Sequence, residues 1–134
     1  MTDLSTLRKK VHDLNKRRAD AISRVLQTKP YLAAQVYQRY RKCGKPNCKC
    51  AKGELHGPFL WIYQKKKGQK VVSTTVAEGK GAEAKEKAKR YEELLRLRQQ
   101  IREADQKVNE FLNEYEKELE VEVSEYVKRT KEKA

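Results

Sequence analysis

The chain has 134 residues, 38% charged and 37% apolar, with a formal net charge of +13 and a mean hydropathy of -1.01. A globule of this length ordinarily needs more apolar surface to offset the entropy of ordering its chain. No apolar run approaches the roughly 20 residues of a membrane-spanning helix, and MTDLSTLRKKV at the N-terminus lacks a secretory apolar region, so a cytoplasmic, non-membrane protein is expected.

Residues 1–30 form the first segment, in which a helix is expected over 3–28. Leu4, Leu7, Val11, Leu14, Ala21 and Val25 fall on alternating steps of three and four, interrupted at one seam position by Arg18. Pro30 stops the run.

Residues 31–78 change character and are expected to hold a metal knot and a β-hairpin. Gln35–Tyr40 reads as a strand, and Gly44, Pro46 and Asn47 mark a tight turn among the cysteines. Phe59–Tyr63 and Val71–Val76 flank Lys65-Lys66-Lys67-Gly68-Gln69-Lys70, a Gly-containing turn, and so read as a hairpin. This segment is also where the charge concentrates. Residues 35–80 carry 11 Lys/Arg against 2 acids, whereas residues 110–134 carry 5 against 8.

Residues 79–134 form the third segment. From Gly81 onward neither Gly nor Pro recurs, and Leu94, Leu97, Ile101, Ala104, Val108, Phe111 and Tyr115 keep a strict three-four seam. The seam shifts to steps of four through Leu119 and Val123, towards Tyr126 or Val127, as in a coiled-coil stutter. One helix of about 50 residues is predicted, long enough to pair with the N-terminal helix, with a second copy, or with both. The fold class expected is α+β: a helix, a small zinc-knotted three-stranded antiparallel sheet, and a long C-terminal helix in a coiled coil.

Cys43, Cys48, Cys50 and His56 supply four potential ligands within 14 residues, the donor set of a structural zinc site. Gly44, Pro46, Gly53, Gly57 and Pro58 provide the backbone reversals that chelation requires, and neighbouring lysines would favour thiolates. Two other readings remain open. The cysteines could pack without metal as small apolar residues, or Cys48 and Cys50 could form a redox pair. His56 could instead be a turn residue or a base contact, and His12 reads as a surface or packing residue.

Arg39, Arg41, Lys42, Lys45, Lys65, Lys66, Lys67 and Lys70 are candidate phosphate contacts on or beside the hairpin. By period two, Phe59, Trp61 and Tyr63 share one face and Leu60 and Ile62 the other. A β-ribbon of this kind can enter a DNA major groove, while exposed aromatics would suit single-stranded bases. Trp61 is read first as core. Residues 31–78 hold only Glu54 and Glu78 as acids, so no catalytic constellation is expected.

The run Cys43-Gly44-Lys45-Pro46-Asn47-Cys48-Lys49-Cys50, followed by His56-Gly57-Pro58-Phe59, resembles a family of small bacterial and archaeal proteins catalogued as a domain of unknown function. Its genes often lie near transposases. The resemblance implies that Cys43, Cys48, Cys50 and His56 act together, in a setting associated with DNA or mobile elements.

The expected function is therefore nucleic-acid binding, with duplex DNA ahead of RNA, zinc as cofactor and homodimerisation through the helices. An RNA-binding or ribosome-associated role, and an adaptor whose long helix docks a protein partner, are the alternatives.

Overall fold

The computed structural model describes residues 3–65 and 71–128. In chain order it contains α1 (Leu4–Leu26), β1 (Gln35–Arg41), β2 (His56–Lys65), β3 (Val71–Thr75) and α2 (Gly81–Leu119). Short 3₁₀ turns occupy Lys49–Lys52 and Val123–Glu125. The chain divides into two compact units, one of Met1–Ser23 with Arg98–Ala134 and one of Arg24–Leu97.

In the first unit, α1 and the C-terminal part of α2 run antiparallel. The predicted seam is the buried stripe. Leu7 and Ala21 from α1 and Ala104 from α2 are buried, with Val108, Phe111 and Tyr115 half-covered beside them. Full burial of a leucine such as Leu7 contributes about 1.5–3 kcal/mol. Arg18, which interrupts the apolar spacing of α1, meets Asp105 with Nε 2.7 Å from Oδ1. Both side chains are about half exposed, so the pair orients the helices more than it stabilises them. Lys10 lies over the Phe111 ring at 5.2 Å.

Two features of the C-terminal helix differ from expectation. It ends at Leu119, well short of the predicted 50 residues, and the stutter positions are exposed. Leu119, Val123, Tyr126 and Val127 are 54%, 72%, 75% and 56% exposed. The segment Glu116-Lys117-Glu118-Leu119-Glu120-Val121-Glu122-Val123 explains the stop. Carboxylates crowd the negative end of the helix dipole, and valine is a mediocre helix former.

The second unit holds the sheet, whose order β1-β2-β3 is antiparallel throughout, as expected. The linker between α1 and β1 is tied to α2. Leu32 N–H donates to Lys87 O at 3.1 Å, the Arg90 guanidinium donates to Pro30 O at 2.9 Å, and Tyr31 stacks on Tyr91 with ring centroids 5.5 Å apart. On one face of the sheet, Leu60 abuts the start of α2, so close that a Cβ at Gly81 would lie 2.7 Å from its Cδ1. Ala84, Ala88 and Leu97 are the buried α2 residues of this unit. Alternation turns Phe59, Trp61 and Tyr63 to the opposite face.

Candidate metal centre

The knot is built at the open end of the β1–β2 pair. Cys43 is the second residue after β1, and His56 is the first residue of β2. Between them the chain makes two reversals. Gly44 takes a φ of +80°, and Cys48 N–H donates to Lys45 O at 3.2 Å. The 3₁₀ turn Lys49–Lys52 then carries Cys50 inward and closes at Gly53, whose φ is +111° and whose N–H donates to Cys50 O.

These turns bring all four sequence-predicted ligands together. Their donor atoms lie within 4.8 Å of one another, close enough to bind a metal ion, and form a Cys3His group beside the sheet. Cys43 Sγ is 3.4 Å from Cys50 Sγ, and Cys48 Sγ is 3.0 Å from His56 Nε2. A tetrahedral ion with metal–sulfur bonds of about 2.3 Å and metal–nitrogen bonds of about 2.0 Å sets such pairs at roughly 3.6–3.8 Å. To take one up, these two close pairs would open by up to about half an ångström and the widest pairs, up to 4.8 Å apart, would close. All three cysteines are free thiols, Cys50 being buried and Cys43 exposed.

The backbone prepares one thiol, Cys50, for that role. Cys43 N–H donates to Cys50 Sγ at 3.3 Å. This contact, with the neighbouring thiols and the charge of His56, outweighs burial and brings the Cys50 pKa down from 9.0 to about 7. At Cys43 the Lys45 backbone N–H favours the thiolate, yet the Cys50 and Cys48 sulfurs and burial together prevail and raise its pKa. The Cys50 thiolate therefore supplies its contribution in full above pH 9, and loses it as the pH falls through about 7. Each proton displaced on metal uptake steepens the affinity by about tenfold per pH unit. A Zn2+ competition titration should show log affinity rising with pH, with a slope below pH 7 steeper by about one proton than the slope above it.

His56 reaches the thiols because β2 starts three residues earlier than predicted. The strand runs through Gly57 and Pro58, where the β1–β2 register shifts between Arg39 and Arg41 and Arg41 pairs with His56. Two β2 residues thus stand opposite Tyr40 alone, the signature of a β-bulge. Only glycine suits the first of them. Gly57 has a φ of +134°, and a Cβ there would lie 2.8 Å from Arg39 O and 3.1 Å from Tyr40 Cδ1. Gly57→Ala is expected to cost about 2–3 kcal/mol by backbone strain and collision. It should weaken metal binding as well, because it moves His56; a denaturant melt and a Zn2+ titration of the variant would check both effects.

The sheet places part of the predicted basic set next to this knot. Arg39 lies over the Trp61 ring, with Cζ 4.8 Å from its centroid, and Arg41 over Phe59 at 4.7 Å. Trp61 is accordingly half-covered by an arginine and absent from the buried core, contrary to its reading as core. Its face of the sheet is the one turned away from Leu60 and Gly81. Lys42 and Lys45 are exposed beside the cysteines. Lys65 ends β2, while Lys66, Lys67 and Lys70 lie outside the described residues. Alternation along β2 already groups Phe59 and Trp61 on this face; what the sequence reading missed is Tyr37 beside them and the arginines stacked on the two rings. Tyr37 Oη and Ser73 Oγ meet at 2.8 Å across β2. A cleft of about 370 Å³ joins face and knot, lined by Arg41, Lys42, Cys43, His56 and Phe59. No described helix is long and apolar enough to cross a membrane.

Comparison with curated proteins and with solved structures found no match. A family match runs over residues 9–88, from the second turn of α1 through the knot and sheet into the first turns of α2. The match spans the knot and the sheet, and the chain belongs to the family described as Domain of unknown function (DUF6788).

Proposed function

We propose that this protein is a nucleic-acid-binding module in which a structural zinc ion at Cys43, Cys48, Cys50 and His56 holds the ends of β1 and β2 in register. Three thiolates and an imidazole suit zinc, and a closed set of four protein ligands leaves no position for a reactive water. Binding rather than catalysis is the role this assigns to the metal. Zinc-bound thiolates also fit a reducing, cytoplasmic setting.

The observation that carries the reading is the charge of the sheet. None of the three strands contains an Asp or Glu, and the ion pairs found among the described residues all lie on the helices or at the start of α2. Arg39, Arg41, Lys42 and Lys45 therefore offer a concentrated positive field to a polyanion. Lys65, Lys66, Lys67 and Lys70 extend it along the β2–β3 turn in sequence. The β2–β3 ribbon suits a duplex groove, which puts duplex DNA ahead of RNA.

The helices add a second element to the proposal. Leu112, Leu119, Val121 and Tyr126 are exposed on or beyond the C-terminal part of α2, which supports pairing with a second copy, or docking of a protein partner. Two copies held in this way would favour a repeated or palindromic site, as an accessory protein of a mobile element would need.

Fluorescence anisotropy with duplex DNA, single-stranded DNA and duplex RNA, at low and near-physiological salt, tests the reading. Duplex DNA should bind with a steep salt dependence that Cys48→Ser abolishes. Absence of binding to every nucleic acid at low salt would sink it.

A further inference from the structure

We infer that the open face of the sheet is a platform for an unpaired nucleic-acid strand, whose bases stack on the Arg39–Trp61 and Arg41–Phe59 pairs. The inference rests on the polyanion-binding reading above and specifies which form of nucleic acid this face takes.

Alternation places Tyr37, Arg39 and Arg41 from β1 and Phe59, Trp61 and Tyr63 from β2 on the face turned away from Leu60 and Gly81. Both arginines are exposed, and each guanidinium lies over a half-covered ring. A planar cation over an aromatic ring offers a base one of two surfaces. The base can continue the stack on the guanidinium, or displace it, since cation–π attraction is weak where the pair meets water. Bases are read in this way on single strands, by stacking on aromatic or guanidinium planes.

Spacing selects the unpaired strand. The two stacks are one β-repeat apart, about 7 Å along the strand. Neighbouring bases in a duplex are separated by only about 3.4 Å and are locked in their own stack. They cannot reach both platforms, whereas splayed bases of a single strand can. Charge supplies the rest of the recognition. Arginines interleaved with rings put phosphate partners beside each base, and the strands carry no acid to oppose them. Lys42 and the cleft of about 370 Å³ beside Phe59 continue the basic track towards the knot.

Trp61 is the only tryptophan in the chain, so it reports on its own site. The zinc-loaded full chain would be titrated with an oligothymidylate, an oligouridylate and a DNA duplex of equal length, following Trp61 emission and labelled-strand anisotropy in parallel. Either unpaired strand should quench Trp61, and the stronger of the two names the sugar. The duplex should leave the emission unchanged even where anisotropy reports binding. Trp61→Ala should weaken single-strand binding by about 5- to 150-fold, the loss of one stacked base, with duplex binding altered less than about twofold. Trp61→Phe should restore most of it. Duplex binding without single-strand quenching would overturn the inference and leave the nucleic-acid reading standing; binding of neither would remove both. Should Trp61→Ala fail to fold, the wild-type quenching comparison decides alone.

Discussion

Cys50→Ser is expected to abolish tight metal binding and to release the β1–β2 end of the sheet, while leaving the α1–α2 pairing of the first unit intact. Cys50 is 1% exposed and meets both Cys43 Sγ and Cys43 N–H, so it is the best-buried member of the cluster. The alternative support for this end of the sheet is slender, because the loop between Cys43 and His56 has few backbone hydrogen bonds of its own. Structural zinc supplies about 10–16 kcal/mol in small peptides, more than a sheet of three short strands can provide. Removing a ligand should therefore cost more than the 10–100-fold that follows loss of a group merely supporting one. Hydrogen exchange would localise the effect: protection should fall over 35–65 and persist over the seam of α1 and α2. A knot held only by packed thiols predicts otherwise. In that case a chelator would leave wild-type exchange unchanged, and Cys50→Ser would produce a small, evenly spread loss.

Replacing Arg39 and Arg41 together with alanine should weaken nucleic-acid binding by roughly 10–100-fold at low salt and reduce the salt dependence. For duplex DNA, two lost phosphate contacts lower the slope of log affinity against log salt by about 1.8. The two side chains also cover Trp61 and Phe59, so a fall in affinity alone would not separate charge from packing. The double lysine variant makes the separation. It keeps both charges and should keep the slope, but it lacks the flat guanidinium and should bind more weakly wherever stacking contributes. An unchanged slope in the alanine variant would remove both arginines from the phosphate-binding set.

The helical seams were legible from sequence almost residue by residue. A three-four spacing of apolar side chains leaves one stripe that can be buried, and from Leu94 to Tyr115 the non-exposed positions are those predicted. Even Arg18, read as a gap in that stripe, occupies a seam position and faces Asp105. The metal cluster was equally legible, because its four ligands lie within one short loop and need only local reversals to converge. What escaped depended on register or on competition between local preferences. Gly57-Pro58 looked like a boundary and is a bulge inside β2. The arginine–aromatic stacks are diagonal across β1 and β2, and no pattern along one strand specifies which residue of the next it meets. The end of α2 was set by glutamates and valines whose separate effects are small.

The order β1-β2-β3 leaves the outer edge of β3 unpaired within the described residues. Val71-Val72-Ser73-Thr74-Thr75 is uncharged, rich in β-branched residues and exposed at every position. Such a strand is a template for another chain's backbone, and small sheets tolerate one when flanking charge discourages approach. Lys70 and Lys80 bracket it in sequence, so its colloidal behaviour should follow ionic strength. Concentrated stocks should self-associate as salt screens these lysines, and a lysine at Thr74 should keep them dispersed.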